Sequence, residues 1–206
     1  MSKAGLIASS LVILALVSEA SLSQTDDLYK ISKALTQVYE KDGFDIGRYD
    51  QVMIDTLGVT DARVIPPPWV EGKDRNPKKW QLNSKDIQWL KDNYRAAMKE
   101  QIEAIGGYAV VSDPSPDAFI LDVKIVSLTP YAQRSEDVIT MGTGEMTVQA
   151  ELRDSMTGEL LAIYEGDQDV GSEYQQNARM NKEHDANRLF AAWGEKVRLM
   201  MDESRQ

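Results

Sequence analysis

The sequence predicts an α+β domain, a two-layer sandwich in which a mixed five-stranded sheet carries two long helices packed on one face. Three observations lead there. Residues 118–171 read as three consecutive strands, two later and earlier segments repeat apolar residues at helical spacing, and a strand, a helix and a second strand precede the three-strand run. That last order favours a crossover with parallel pairing.

Within residues 118–128, Phe119, Leu121, Val123 and Ile125 alternate with Ile120, Asp122 and Lys124, the period of two that a pleated strand requires. Residues 145–153 alternate more cleanly, with Met146, Val148, Ala150 and Leu152 on one side and Glu145, Thr147, Gln149 and Glu151 on the other. One face of this strand is therefore expected to be wet. Asp154, Thr157 and Gly158 supply a turn before residues 160–165 resume the strand, which makes a hairpin.

Upstream, residues 49–57 read as the first strand, and residues 58–81 form a long loop, partly polyproline-like, with Pro66, Pro67, Pro68 and Pro77. Asn83 then caps a helix whose first turn holds Asp86, with Leu82 placed to staple against Ile87. Its buried stripe is Ile87, Leu90, Tyr94, Met98, Ile102 and Ile105, and Gly106 with Gly107 ends it. Residues 108–111 form a short strand. The final helix, residues 181–203, sets Ala186, Leu189, Phe190, Trp193, Val197, Met200 and Met201 on one stripe. His184, Arg188, Glu195 and Asp202 fall on its expected solvent face.

The first twenty residues carry Lys3, an apolar run over 5–17, and Ser18 and Ala20 ahead of a cut after Ala20. This is a signal-peptide layout, since the run is shorter than the roughly 20 residues of a membrane-spanning helix. Residues 21–43 are a leader, with Leu28, Ile31, Leu35 and Val38 spaced for a short helix over 27–41, and residues 44–206 form a single domain. The formal net charge of −10 disfavours nucleic acid as a partner. With no cysteine in the chain there is no disulfide, no thiolate site and no residue to carry a covalent lipid anchor. The expected product is periplasmic and soluble after signal-peptide cleavage.

Several stretches together resemble a known family. They are Tyr49 to Asp55, Tyr108 to Val111 followed by Asp113-Pro114 and Pro116-Asp117, Asp154 with Thr157 to Ala162, and Trp193 with Arg198. From about Phe44 onward the chain resembles the bacterial envelope family catalogued as domain of unknown function 3313. The resemblance implies an exported protein, usually a lipoprotein, and it supplies no catalytic residues. This sequence departs from the lipoprotein pattern because no cysteine follows the apolar run.

No constellation for catalysis is legible. A histidine-based triad would have to use His184, and no Gly-x-Ser-x-Gly elbow is present. The run Gly142-Thr143-Gly144-Glu145 lacks the ending of a phosphate loop and precedes a strand, so it reads as a bend or bulge. Asp42, Asp45 and Asp50 lack the spacing of a calcium loop, and no cofactor or metal is expected.

Three of the four tryptophans fall within residues 69–89. Trp69 and Trp80 lie in the proline-rich loop, and Trp89 projects opposite its helix's buried stripe. Either the loop folds over Trp89 as a satellite cluster, or Pro67, Pro68, Trp69, Trp80 and Trp89 form a surface for an envelope protein or glycan. The expected function is accordingly a non-enzymatic accessory or interaction domain of the envelope. The alternatives are a small-ligand or carbohydrate binder, which needs a concave pocket, and a hydrolase built on two facing carboxylates.

Overall fold

The computed structural model describes residues 32–206, so the proposed signal peptide and the start of the leader lie outside the described residues. The chain order is β1 (Thr36–Glu40), β2 (Gln51–Ile54), β3 (Arg63–Val64), α1 (Ser84–Glu103), β4 (Ala109–Val110), β5 (Ala118–Pro130), β6 (Ile139–Met141), β7 (Gly144–Asp154), β8 (Leu160–Val170), β9 (Tyr174–Gln176) and α2 (Arg179–Glu203). Seven strands make one mixed sheet in the order β1-β8-β7-β5-β2-β4, with β3 paired to β5, while β6 and β9 make a separate two-stranded ribbon.

The α+β class is therefore observed, but the sheet has seven strands where the sequence predicts five. Two additions account for the difference. Residues Arg63 and Val64, inside the expected loop, run parallel to Ser127 and Leu128 at the end of β5. Residues Thr36–Glu40, expected as part of a helix over 27–41, pair antiparallel with Ala162–Glu165 of β8. The helical spacing misleads here because β1 is an edge strand with all five residues exposed, so no alternation marks it. Residues 27–31 of that expected helix lie outside the described residues.

The stretch ahead of β1 continues along β8. Ser32 Oγ donates to Gln168 Oε1 at 2.8 Å, Gln168 Nε2 donates to the Lys33 carbonyl at 3.1 Å, and Lys33 pairs with Asp169 at 2.9 Å. Gln168 is fully buried, and these bonds satisfy an amide that would otherwise be costly there.

The meander behaves as its alternation dictates. β5 and β7 pair antiparallel from Phe119 opposite Asp154 to Pro130 opposite Gly144, and Phe119, Leu121, Val123 and Ile125 are buried on one face with Met146, Val148, Ala150 and Leu152. The turn between β7 and β8 is organised by Asp154, whose Oδ1 accepts from the backbone N–H groups of Met156 (3.1 Å) and Thr157 (2.9 Å). The expected parallel crossover is present too, since β2 lies parallel to both β4 and β5 with α1 between β2 and β4 in sequence.

Helix α1 begins with a capping box: Asp86 N–H donates to Asn83 Oδ1 at 2.9 Å, and Asn83 N–H donates back to Asp86 Oδ2 at 3.3 Å. Tyr94, Met98 and Ile102 are its buried residues. Ile105 is not, because the helix stops at Glu103 and leaves that side chain 72 % exposed. The aromatic centre of the core is Tyr94 from α1 set edge-on to Phe190 and Trp193 from α2, at centroid distances of 5.5 and 6.5 Å.

Helix α2 buries more than its apolar stripe. Glu195, expected in solvent, is 2 % exposed. The reason is the neighbouring helix: a Cβ built on Gly194 would lie 2.8 Å from the Met98 carbonyl, so α1 crosses here and covers a second flank of α2. Arg198 is buried on that flank with Glu195 at 3.8 Å and Asp202 at 2.9 Å. No helix among the described residues is long and apolar enough to cross a membrane.

Candidate functional site

The first turns of the two helices converge on the far ends of β5 and β7 and leave a cleft of about 290 Å³ between them. Helical spacing selects what faces it. From α1 come Asp86, Trp89 and Leu90, and from α2 come Arg179, Lys182, Glu183 and Ala186, each set placed at intervals of three and four. Leu128 and Pro130 of β5, Met146 of β7 and Val170 of β8 form an apolar floor, and Arg134 enters from the segment after β5.

Most charges in this lining are spoken for. Arg134 forms an ion pair with Asp86, the same carboxylate that caps α1. Arg179 pairs with Glu183 one turn along α2, and Tyr131 OH donates to Glu145 Oε1 at 2.7 Å. Burial, reinforced by that hydrogen bond, pushes the Tyr131 hydroxyl well above its ordinary range, so it remains a donor. Lys182 differs. It is half-buried, and among the described residues its side-chain ammonium makes no hydrogen bond or ion pair. Its ammonium is pushed below its ordinary range, first by burial and then by the charge of Arg134.

The five residues singled out in the sequence separate into two groups. Trp80 and Trp89 turn to the cleft. Trp80 is 5 % exposed and its Nε1 donates to the Asp74 carbonyl at 2.8 Å, which fastens residues 74–80 into a compact turn. Trp89 is half-buried and packs against the edge of the core. Trp69 is not in that lining. It is 62 % exposed and its ring rests on Tyr131 at a centroid distance of 5.6 Å. Pro67 is buried, its carbonyl accepting from Val70 N–H at 3.1 Å, and Pro68 is exposed beside Trp69.

Sequence reading missed the β6–β9 ribbon. Met141 lies opposite Tyr174 and Ile139 opposite Gln176, so Ile139, Met141 and Tyr174 share one face, and all three are exposed, Tyr174 by 80 %. The ribbon is held from its base. Buried Asp185 of α2 accepts from Thr143 Oγ1 at 2.8 Å and from Gln175 Nε2. Gly171 makes this approach feasible: its φ is +80°, and a Cβ there would fall 2.1 Å from Asp185 Oδ2. Gly142 forms the expected bend, with φ +72°. The ribbon and Trp69 are neighbours through Tyr131, whose N–H donates to the Thr143 carbonyl, two residues past Met141.

His184 is exposed on α2, as its place on the helix requires. Among the described residues, no group of three or more His, Asp or Glu side chains converges to hold a metal ion.

A mixed sheet with two helices, a small aromatic-walled cleft at one end and an exposed apolar ribbon define this α+β domain. The chain belongs to the family described as Protein of unknown function (DUF3313), whose model matches residues 21–197. No match is found among curated proteins. Similar solved structures include the PelC dodecamer from Paraburkholderia phytofirmans, 13 % identical, covering 80 % of this chain and 96 % of that one with a TM-score of 0.39. Protein XCC0632 from Xanthomonas campestris is 10 % identical, with 80 % and 92 % covered and a TM-score of 0.43. Protein CT253 from Chlamydia trachomatis is 8 % identical, with 75 % and 95 % covered and a TM-score of 0.36.

Proposed function

We propose that this chain is an exported, non-enzymatic accessory domain of the bacterial cell envelope that holds a protein partner on the margin formed by Pro68, Trp69 and the β6–β9 ribbon. The observation that carries this reading is the exposed, pre-positioned apolar display: Trp69 is supported on Tyr131, and Ile139, Met141 and Tyr174 stand on a ribbon anchored at Asp185. Exposed apolar groups on a rigid base are what interfaces use, and aromatic residues and Met are enriched there. Export is supported by the signal-peptide layout of residues 1–20.

The test is fractionation of the native host, intact-mass measurement, and crosslinked capture from the fraction that holds the protein. The expected result is a chain beginning at Ser21 in the periplasm and a partner that is lost with Trp69→Ala or with Ile139→Ser and Met141→Ser together. A full-length chain in the membrane fraction, or a partner captured equally by these variants, would overturn the reading.

A second reading, a small-ligand binder, is favoured by the cleft itself. It is concave, walled by Trp80 and Trp89, and its volume of about 290 Å³ lies at the lower end of small-molecule sites, about 300 to 1,000 Å³. Asp86 and Glu145, two of its acids, are engaged by Arg134 and Tyr131, which speaks against a carboxylate pair free for hydrolysis.

A further inference from the structure

The cleft joins two properties that seldom occur together in an acidic protein. Its walls are apolar, with Trp89 and Leu90 facing Met146 and Pro130. Its charges are balanced except at Lys182 and at the exposed Lys85, since Asp86 pairs with Arg134, Arg179 with Glu183, and Glu145 accepts from Tyr131. Lys85 differs from Lys182 in being exposed, so water can solvate its ammonium. Half-burying an ammonium without a partner is unfavourable, and in this chain of net charge −10 the cost is retained at a concave site.

We propose that the cleft binds a small amphiphilic carboxylate, with its apolar body against Trp89, Leu90 and Met146 and its carboxylate paired with the ammonium of Lys182. This rests on the second reading above and deepens it by naming the ligand class. One half-buried charge without a partner calls for one negative charge on the ligand, and a carboxylate on an ammonium forms the stronger, charge-assisted kind of hydrogen bond. Arg134, already bound to Asp86, adds field without demanding a second anion. Binding would also remove the penalty Lys182 carries, because an anion restores the charged form that burial and Arg134 disfavour. The volume of about 290 Å³ equals that of roughly ten water molecules at about 30 Å³ each, which suits a chain or ring system of about that many heavy atoms.

The test uses the chain from Ser21 onward and the probes decanoate, decan-1-ol and decyl phosphate, read by calorimetry and by tryptophan fluorescence. The expected result is that decanoate binds at least tenfold more tightly than decan-1-ol. Lys182→Gln removes that preference while leaving decan-1-ol unaffected, Lys182→Arg retains it, and Trp69→Ala changes neither affinity. Should Lys182→Gln fail to fold, the comparison of the two probes on the unaltered chain decides alone. Equal affinity for the two probes, or a preference that survives Lys182→Gln, overturns the ligand class while leaving the cleft as a site. Tighter binding of decyl phosphate than of decanoate overturns the monoanion assignment. Failure of all three probes to bind overturns the proposal and the small-ligand reading together.

Discussion

Gly194 of α2 lies against the main chain of Met98 in α1, where a Cβ would meet the Met98 carbonyl at 2.8 Å and its Cα at 3.0 Å. Two effects oppose each other on substitution. Alanine gains about 1 kcal/mol of helix propensity over glycine, whereas overpacking a close contact costs about 1–3 kcal/mol. The neighbours here are backbone atoms of another helix and cannot rotate aside, so packing wins. Gly194→Ala should lower unfolding free energy by about 1 kcal/mol and Gly194→Val by more, measured by urea denaturation. A stabilised Gly194→Ala would mean that the helices separate freely.

The turn at Asp154 should make the meander acid-sensitive. The backbone N–H of Thr157 foremost, with the Thr157 hydroxyl, Tyr49 hydroxyl and Met156 N–H, holds this carboxyl below its ordinary value of 3.8. A group depressed in the folded state stabilises above its unfolded pKa and loses that contribution as pH falls through the folded value. Asp154→Asn should therefore cost about 1–2 kcal/mol near neutral pH, and the gap between variant and parent should close as pH drops below about 4. A gap independent of pH would rule out the ionised form as the source.

Two tryptophans from the same loop should respond in opposite ways. Trp80→Ala removes a buried indole that also ties down the Asp74 carbonyl, and the expected loss is about 3–5 kcal/mol. Trp69→Ala removes an exposed ring with one aromatic neighbour, so stability should change by less than about 1.5 kcal/mol while partner capture falls. Thermal melts of both variants beside the capture experiment separate the structural indole from the displayed one.

Gly171→Ala should loosen the ribbon. The substitution meets Asp185 at 2.1 Å and requires a positive φ, which costs a non-glycine residue about 1–2 kcal/mol. The expected signature is faster amide exchange in β6 and β9 with protection in β5 and β7 retained. Uniform loss of protection would show instead that the ribbon and the body unfold as one unit.

The elements most legible in the sequence are those whose signals are local. Asn83 and Asp86 announce the start of α1 because a capping box is complete within four residues, and the faces of β5 and β7 follow from alternation alone. What escapes is set by neighbours distant in the chain. Glu195 reads as solvent-facing on its own helix but is buried, next to Gly194 where α1 crosses. Leu35 and Val38 keep a helical interval, yet Thr36, Gln37, Tyr39 and Glu40 around Val38 pair with β8, and Leu35 lies near Gly166 of β8. The same holds for the candidate site. The tryptophans are visible as a cluster, but Arg134 and Lys182 reach the cleft from segments far from Trp89 in sequence, and neither stands in a motif. The ribbon escapes because two three-residue strands carry too few positions to establish a period.

The stretch 32–40 has a role beyond its own hydrogen bonds. β8 is 11 residues long and lies second from the sheet's end, so without β1 it would offer unpaired N–H and C=O groups along most of its outer side. Such an edge recruits strands from other molecules. The chain therefore replaces a long edge with the five-residue edge of β1, and it does so with residues made well before β8, which must wait for it, more than a hundred positions later, before they can close. Proteolytic trimming past Glu40 would expose a template for intermolecular pairing, and the trimmed protein would be lost to aggregation rather than to unfolding.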